Sequence, residues 1–329
     1  MRGLKKAIAV LAAAVPAFAL AAHADIADDY FGLSDAAQYI QDYQETEDFD
    51  AEEGDAGAMT PRQAQALYDS GEVNAQIARQ VFAEEYENAT WKKATDTIYI
   101  ACTKKMNGSN GYYILSHVVV NDPSQIGGEL SFDDWAGPRE SPLEAAKRLD
   151  AALVANGSYF KYETNTMNGA NVGIAHGSVM QDGTVDGYEI CLTEDGTLFS
   201  PESGETDAEG LVAMGVVYTW GTCEDCIIKD GVPCELTDTD WDFSPYPRTS
   251  IGMVRPLEYY VITAGNTGHS NGITVAEEQK IFSALGCGYA RGLDGGGSAA
   301  LVLDGESINK SPEADGSVRK VIDFLCFYE

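Results

Sequence analysis

Gly292-Leu293-Asp294-Gly295-Gly296-Gly297-Ser298, running on into Ala299-Ala300-Leu301-Val302-Leu303, is the stretch on which the fold turns. Three consecutive glycines bury nothing and lose much conformational freedom on ordering. They belong where the chain turns, where backbone must approach another group closely, or where N–H groups converge on an anion. As bare glycines they read as a hairpin loop; the aspartate before them and the serine after them point to a site. A phosphate-binding loop would carry Lys and Ser/Thr after the last glycine and then open a helix. Here Ser298-Ala299-Ala300 leads into an apolar strand, which excludes both that loop and a dinucleotide fingerprint.

Working outward, Thr274-Val275-Ala276-Glu277 is a capping box that opens a helix to Leu285, stopped by Gly286. Residues 251–264 are strand-like, with Pro256 in a turn. Beyond the glycines, Asp304-Gly305 turns a hairpin, and residues 318–327 form a last strand. Further upstream, residues 97–103 and 112–120 are rich in β-branched and aromatic side chains and flank Asn107-Gly108-Ser109-Asn110-Gly111, another hairpin. Ser141-Pro142-Leu143-Glu144 is a second capping box, whose helix runs to about Asp150, and 151–155 is a short strand ending at Asn156-Gly157. Strands outnumber interspersed helices. The expected class is α+β: a mixed twisted β-sheet core with flanking helices in a single large domain over residues 91–329. Ahead of it, Thr60-Pro61 starts a helical segment over 61–90, with a break near Ser70-Gly71.

Residues 1–24 read as an export signal: Arg2, Lys5 and Lys6, an apolar run from Ala7 to Leu20, and Ala22-His23-Ala24 for cleavage after Ala24. The apolar run is too short for a comfortable membrane span, and no later segment is long and apolar enough to cross a bilayer. The expected location is secreted or extracytoplasmic, in the cell envelope. The signal carries three positive charges and no negative ones, so its removal takes the net charge from −31 to −34. That acidity argues against nucleic acid and anionic membranes as partners. Residues 25–60 hold no Lys or Arg and read as an acidic, partly disordered leader. Seven cysteines in an exported chain allow up to three disulfides. Cys223-x-x-Cys226 lacks the further ligands of a zinc site and reads as a loop disulfide; connectivity otherwise stays open, and so does the oligomeric state.

Gly268-His269-Ser270-Asn271-Gly272 has the G-x-S-x-G form of a nucleophile elbow. No histidine follows Ser270, and the turn is too long, so a serine hydrolase is set aside. A more coherent set is Asn156-Gly157-Ser158-Tyr159-Phe160 at one strand end, Pro247-Arg248-Thr249 at another, and Asp294 to Ser298. It offers an amide, a guanidinium, a carboxylate and a nest of backbone N–H groups. These suit an anionic, hydroxyl-rich ligand, with Arg clamping phosphate and Asp or Asn holding sugar hydroxyls.

Those segments, together with Tyr246-Pro-Arg-Thr-Ser-Ile-Gly-Met253, Ala284-Leu-Gly-Cys287 and Ile308-Asn309, resemble the phosphodiester glycosidase family in order and spacing, over roughly residues 91–329. The resemblance implies hydrolysis of a bond between a sugar anomeric carbon and a phosphate, on an N-acetylglucosamine-type sugar. It implies Asp294 as the acid/base or sugar-orienting carboxylate. Arg248 would bind phosphate, Asn156 and Asn309 would bind sugar or phosphate oxygens, and Thr249, Gly295, Gly296, Gly297 and Ser298 would complete the substrate site. No cofactor or metal is expected. The chain departs from the family pattern at Ala264 and Asn266, where Asp-Gly-Arg is usual, and at Gly292, Ala299 and Ala300, which replace polar residues. Arg291 could compensate if it faced the cleft. The alternatives are a catalytically impaired module binding glycan or sugar phosphate on the same fold, and a purely structural envelope protein.

Overall fold

The computed structural model describes residues 59–223, 226–237, 241–265, 271–309 and 318–329. The expected signal peptide and almost all of the acidic leader lie outside the described residues, as do Asn266 and Ser270. Thr60–Glu329 is one compact unit. Its centre is an eight-stranded sheet in the order Trp91–Ala94, Ile98–Met106, Tyr112–Val120, Glu258–Ala264, Arg248–Arg255, Tyr289–Gly292, Cys226–Lys229, Val232–Pro233. A five-stranded sheet runs Glu306–Asn309, Leu301–Leu303, Leu153–Asn156, Asp323–Phe327, Ile126–Leu130, and a three-stranded one runs Leu198–Phe199, Glu189–Thr193, Val216–Gly221. The class is α+β. The sheets differ from the expected mixed one: among the described residues the strand pairings are antiparallel. Hairpins such as 98–106/112–120 and 248–255/258–264 return the chain directly, and a parallel pair would need a long crossover.

Alternation along the strands sets the layers. In Ile98–Met106, Ile98, Ile100 and Cys102 face an interior shared with Leu153, Ala155, Leu301, Leu325 and Phe327 of the five-stranded sheet. Tyr99 and Ala101 point the other way, onto Ala75 and Ala78 of the helix Ala75–Val81. The helix Val275–Ala284 covers that same outer face further along, Phe282 and Ile281 meeting Ile262, Ile227 and Ala290. Its approach is close: a Cβ on Gly252 would sit 2.5 Å from the Phe282 ring. The helix Pro142–Leu149 covers the outer face of the five-stranded sheet through Ala145 and Ala146. Capping boxes form at Thr60, Ser141 and Thr274, and another, at Asp122, opens the short 3-10 turn Pro123–Gln125. The turn at Pro256 falls between two strands, with Leu257 at φ 74°. Helix Pro61–Asp69 ends at Ser70, where the break is expected.

A buried polar cluster ties the N-terminal helices to the large sheet. His117, fully buried, stacks on Tyr260 with ring centroids 4.3 Å apart. Its Nδ1 lies 3.2 Å from Glu85 of the helix Ala83–Asn88, and its Nε2 lies 3.4 Å from Glu258. The second contact is an ion-pair distance without hydrogen-bond alignment, since Nε2 has no hydrogen-bond partner. Burial favours the neutral ring, but the two carboxylates outweigh it and raise the pKa from 6.5 to about 9. A raised cationic pKa gives stability that is complete below the unfolded value and lost as pH climbs through the folded one. The helices over 61–88 are therefore expected to loosen as pH passes about 9. Amide exchange, corrected for intrinsic rate, should show protection falling there before the rest of the sheet; unchanged protection would refute it.

Candidate functional site

The site is built where the two main sheets meet the glycine run. Asn156, at the end of Leu153–Asn156, is fully buried. Its Oδ1 accepts from Thr249 Oγ1 at 2.7 Å and from the Ala300 N–H at 3.1 Å, and its Nδ2 donates to the Asp294 carbonyl at 2.6 Å. The Asp294 N–H donates to the Gly157 carbonyl at 2.9 Å, and the Gly157 N–H to the Asp323 carbonyl at 3.0 Å. Asn156-Gly157-Ser158 thus splices together the large sheet, the glycine loop and the last strand. Asn156→Ala strands a carbonyl, an N–H and a hydroxyl in the interior, so it is expected to lower unfolding free energy by roughly 3–5 kcal/mol. Urea denaturation checks this, a loss below 1 kcal/mol counting against the splice.

Close approach explains the glycines. A Cβ on Gly295 would meet the Pro247 carbonyl oxygen at 2.5 Å, and one on Gly297 would meet Arg319 Nη2 at 2.5 Å. Gly296, at φ 63°, sits in the left-handed region that favours glycine, with the Tyr246 hydroxyl beside it. The three glycines are half-exposed, whereas Asp294 and Ser298 are buried. Among the described residues no acceptor meets the Gly297 N–H.

Beside the run lies a cavity of about 320 Å³ whose lining includes Tyr159, Lys161, Tyr162, Asn168, Asp294 and Arg319. Burial pushes the Asp294 carboxyl up from 3.8 to about 7. The Ser298 hydroxyl, the Gly295 N–H and Arg319 pull it down, and Asp323 adds to the rise. The Gly295 N–H donates to Asp294 Oδ1 at 2.9 Å. Asp323 is itself fully buried. It accepts from the Ser158 N–H at 2.6 Å, from Ser158 Oγ at 2.5 Å and from the Tyr218 hydroxyl at 3.3 Å. Burial still outweighs these donors and raises it to about 6. Two neighbouring carboxyls therefore titrate near neutrality, and one of them opens onto the cavity.

The expected site residues divide. Asn156, Thr249, Asp294, Gly295, Gly296, Gly297 and Ser298 are brought together, but the Asn156 and Thr249 side chains are committed to protein partners. Arg248 is buried, donating from Nε to the Ile273 carbonyl at 3.0 Å and from Nη2 to the Trp241 carbonyl at 2.8 Å, over the Trp241 ring. It is not among the residues lining the cavity with Asp294. Asn309 donates to the Ala299 carbonyl at 3.3 Å, and its Oδ1 is buried without a hydrogen-bond partner. Ala264, Gly292, Ala299 and Ala300 are all buried, the first two at strand ends of the large sheet. Arg291 pairs across from Ile251 and faces a different cavity, with Tyr188, Glu202 and Cys226. It does not substitute at the Asp294 site. Among the described residues no group of three or more His, Cys, Asp or Glu is placed to hold a metal ion. No disulfide is formed among the described residues, so the expected loop disulfide at Cys223 and Cys226 is not shown.

Sequence reasoning missed Arg319 and Asp323. Arg319 lies well beyond the glycine motif, across residues 310–317, and nothing in its own neighbourhood marks it. Asp323 did carry a signal: a carboxylate inside Val321-Ile322-Asp323-Phe324-Leu325 is costly to bury unless donors are supplied.

Residues 150–328 match the family model for phosphodiester glycosidase. The chain belongs to that family. It is 31% identical over 196 residues to the SPbeta prophage-derived uncharacterized protein YomE of Bacillus subtilis (strain 168), covering 57% of this chain and 29% of that relative's length. The chain thus spans less than a third of that protein. Among solved structures, the catalytic domain of zebrafish N-acetylglucosamine-1-phosphodiester alpha-N-acetylglucosaminidase, auto-inhibited by its pro-peptide, superposes with a TM-score of 0.55 at 19% identity. The match covers 74% of this chain and 86% of that one. A hypothetical protein from Synechocystis follows at a TM-score of 0.49 and 15% identity, over 73% of this chain and 64% of that one. The zebrafish match is one of fold. No helix among the described residues is long and apolar enough to cross a membrane.

Proposed function

We propose that this chain is an exported glycosidase that hydrolyses a sugar-1-phosphodiester, taking an N-acetylglucosamine-type sugar on phosphate as substrate. The observation that carries the reading is Asp294: a carboxyl held near neutrality by burial, opening onto a cavity beside Arg319 and Lys161. Water adds to the anomeric carbon as the bond from that carbon to the phosphate oxygen breaks. The phosphate monoester that leaves has a second pKa near 6, so a donor of pKa about 7 is well matched to give it a proton. Arg319, Lys161 and the Gly297 N–H neutralise charge on the phosphate, and Tyr159, Tyr162 and Asn168 face the sugar. Asn156 and Thr249 act by holding the loop, and Arg248 by bracing the wall behind it. The positions at Ala264, Gly292, Ala299 and Ala300 are buried and do not line that cavity, which leaves the cavity lining its own chemistry.

The test is incubation of the purified protein with the 4-nitrophenyl phosphodiester of N-acetylglucosamine 1-phosphate, following release of free sugar. Sugar release that depends on Asp294 supports the reading. Calorimetric binding of the sugar phosphate without release would instead assign a binding module on the same fold.

A further inference from the structure

The wall of the Asp294 cavity continues outward onto an arginine that the hydrolysis leaves unused. Phe160 and Tyr162 both line the cavity, and their rings stack with centroids 5.1 Å apart. Tyr162 is 48% exposed, so it marks the outer end of that wall. Two guanidiniums meet its ring: Arg139 lies 4.1 Å from the centroid and Arg319 lies 5.5 Å from it. Arg139 also stands 5.7 Å from the Phe160 centroid. The loop that brings it there is fastened at three points. Trp135 packs so closely on Gly173 that a Cβ there would stand 2.3 Å from its ring. Asn165 Nδ2 donates to the Gly137 carbonyl at 3.0 Å, which ties the loop to the Phe160–Met167 hairpin. Glu140 and Val321 exchange backbone hydrogen bonds at 3.1 and 2.9 Å, which ties it to the segment that carries Arg319.

Neighbouring cations are committed to carboxylates, Arg148 to Glu140 and Asp133, and Lys320 to Glu144. Arg139 differs. It is half-buried, and among the described residues its guanidinium makes no hydrogen bond or ion pair; the two rings are its contacts. Glu163, exposed on the same rim, does not pair with it. The chain holds 52 acidic and 21 basic residues, so carboxylate partners are plentiful. A guanidinium held on aromatic faces instead keeps its planar N–H fork for an incoming oxyanion.

We propose that Arg139 is a specificity-determining residue that receives a second anionic group, a phosphate or carboxylate, on the leaving-group side of the substrate. This rests on hydrolysis at Asp294 as argued above. Arg319 touches both the glycine run and the Tyr162 ring, whereas Arg139 touches the rings alone. With the scissile phosphate at Arg319, the next anion along the wall falls to Arg139. Arg139 also lies ahead of residues 150–328, outside the part of the chain that the family model matches.

Three diesters of N-acetylglucosamine 1-phosphate, with a four-carbon leaving group ending in a hydroxyl, a phosphate or a carboxylate, are compared at low ionic strength. At least one charged diester is expected to exceed the neutral one in kcat/KM by about 10-fold, and its identity names the group. Arg139→Ala should collapse that ratio towards one, and Arg139→Lys should keep part of it, since the charge stays and the fork is lost. The ratio is taken within one preparation, so any loss of folded protein cancels. A parent ratio near one, or a ratio that Arg139→Ala leaves intact, would overturn the proposal. If no diester is hydrolysed, the hydrolytic reading fails on its own, and the ratio is taken from calorimetric dissociation constants. A charged-end preference that Arg139→Ala removes then supports the site, and its absence overturns it.

Discussion

Replacing Asp294 by asparagine is expected to cut turnover by about 10²–10⁴-fold, the range for loss of a general acid. The same change should leave the protein more stable at neutral pH. The two effects share one cause. Burial raises the Asp294 carboxyl from 3.8 to about 7, so the folded state holds a proton that the unfolded chain has given up. Its contribution to stability is complete below the unfolded pKa and is lost as pH rises through about 7. Above that, the ionised group costs up to on the order of 4 kcal/mol. Asparagine keeps an acceptor for the Gly295 N–H without carrying a charge. Urea midpoints at pH 5 and pH 8 should differ less in the variant than in the parent, the remaining difference including the share of Asp323. The parent's turnover should hold below about pH 7 and fall above it, as the acid loses its proton. A rate that rises through that range would make Asp294 a base, and full turnover in the variant would remove its role.

Much of the frame was legible because its signals are local. The capping boxes at Ser141 and Thr274, the turn at Pro256 and the hairpin around Asn107-Gly108 each specify structure within a few residues, and each formed. Strand pairing is not local, which is why a mixed sheet was expected and antiparallel sheets are found. The same divide runs through the site. Asp294 and the glycine run declare themselves by composition, and Asn156 by its place at a strand end. What each side chain touches does not follow from that. Arg248 reads as a phosphate clamp until its guanidinium is found on the carbonyls of Ile273 and Trp241. Arg319 carries no sequence signal at all, and its place appears only when folding lays it across Gly297. Alternation alone could have sent Arg291 away from Asp294, but only once the strand was known to end at Gly292.

The two arginines can be told apart by how they fail. Arg319 is half-exposed, lines the cavity, lies over the Tyr162 ring at 5.5 Å and reaches Ser298 Oγ at 3.4 Å, which puts its guanidinium at the wall that a ligand would meet. Arg319→Ala is expected to lower kcat/KM by about 10²–10³-fold with little change in the urea midpoint, as for other lost charge-stabilising donors. Lysine should restore only part of that, since it cannot present the planar fork. Gly297→Ala tests the same contact from the other side. Its Cβ would stand 2.5 Å from Arg319 Nη2, the far end of a flexible side chain, so the guanidinium moves and the backbone stays. A kinetic loss resembling that of Arg319→Ala is the expected result. Arg248→Ala should behave oppositely. It removes a fully buried side chain that bridges two carbonyls, so it should cost roughly 2–4 kcal/mol of stability. The molecules that stay folded should keep most of their affinity for sugar phosphate. If instead Arg248→Ala raised KM in a protein of normal stability while Arg319→Ala did not, the phosphate would belong on the Trp241 side of the glycine run, and Asp294 would be facing the sugar from below.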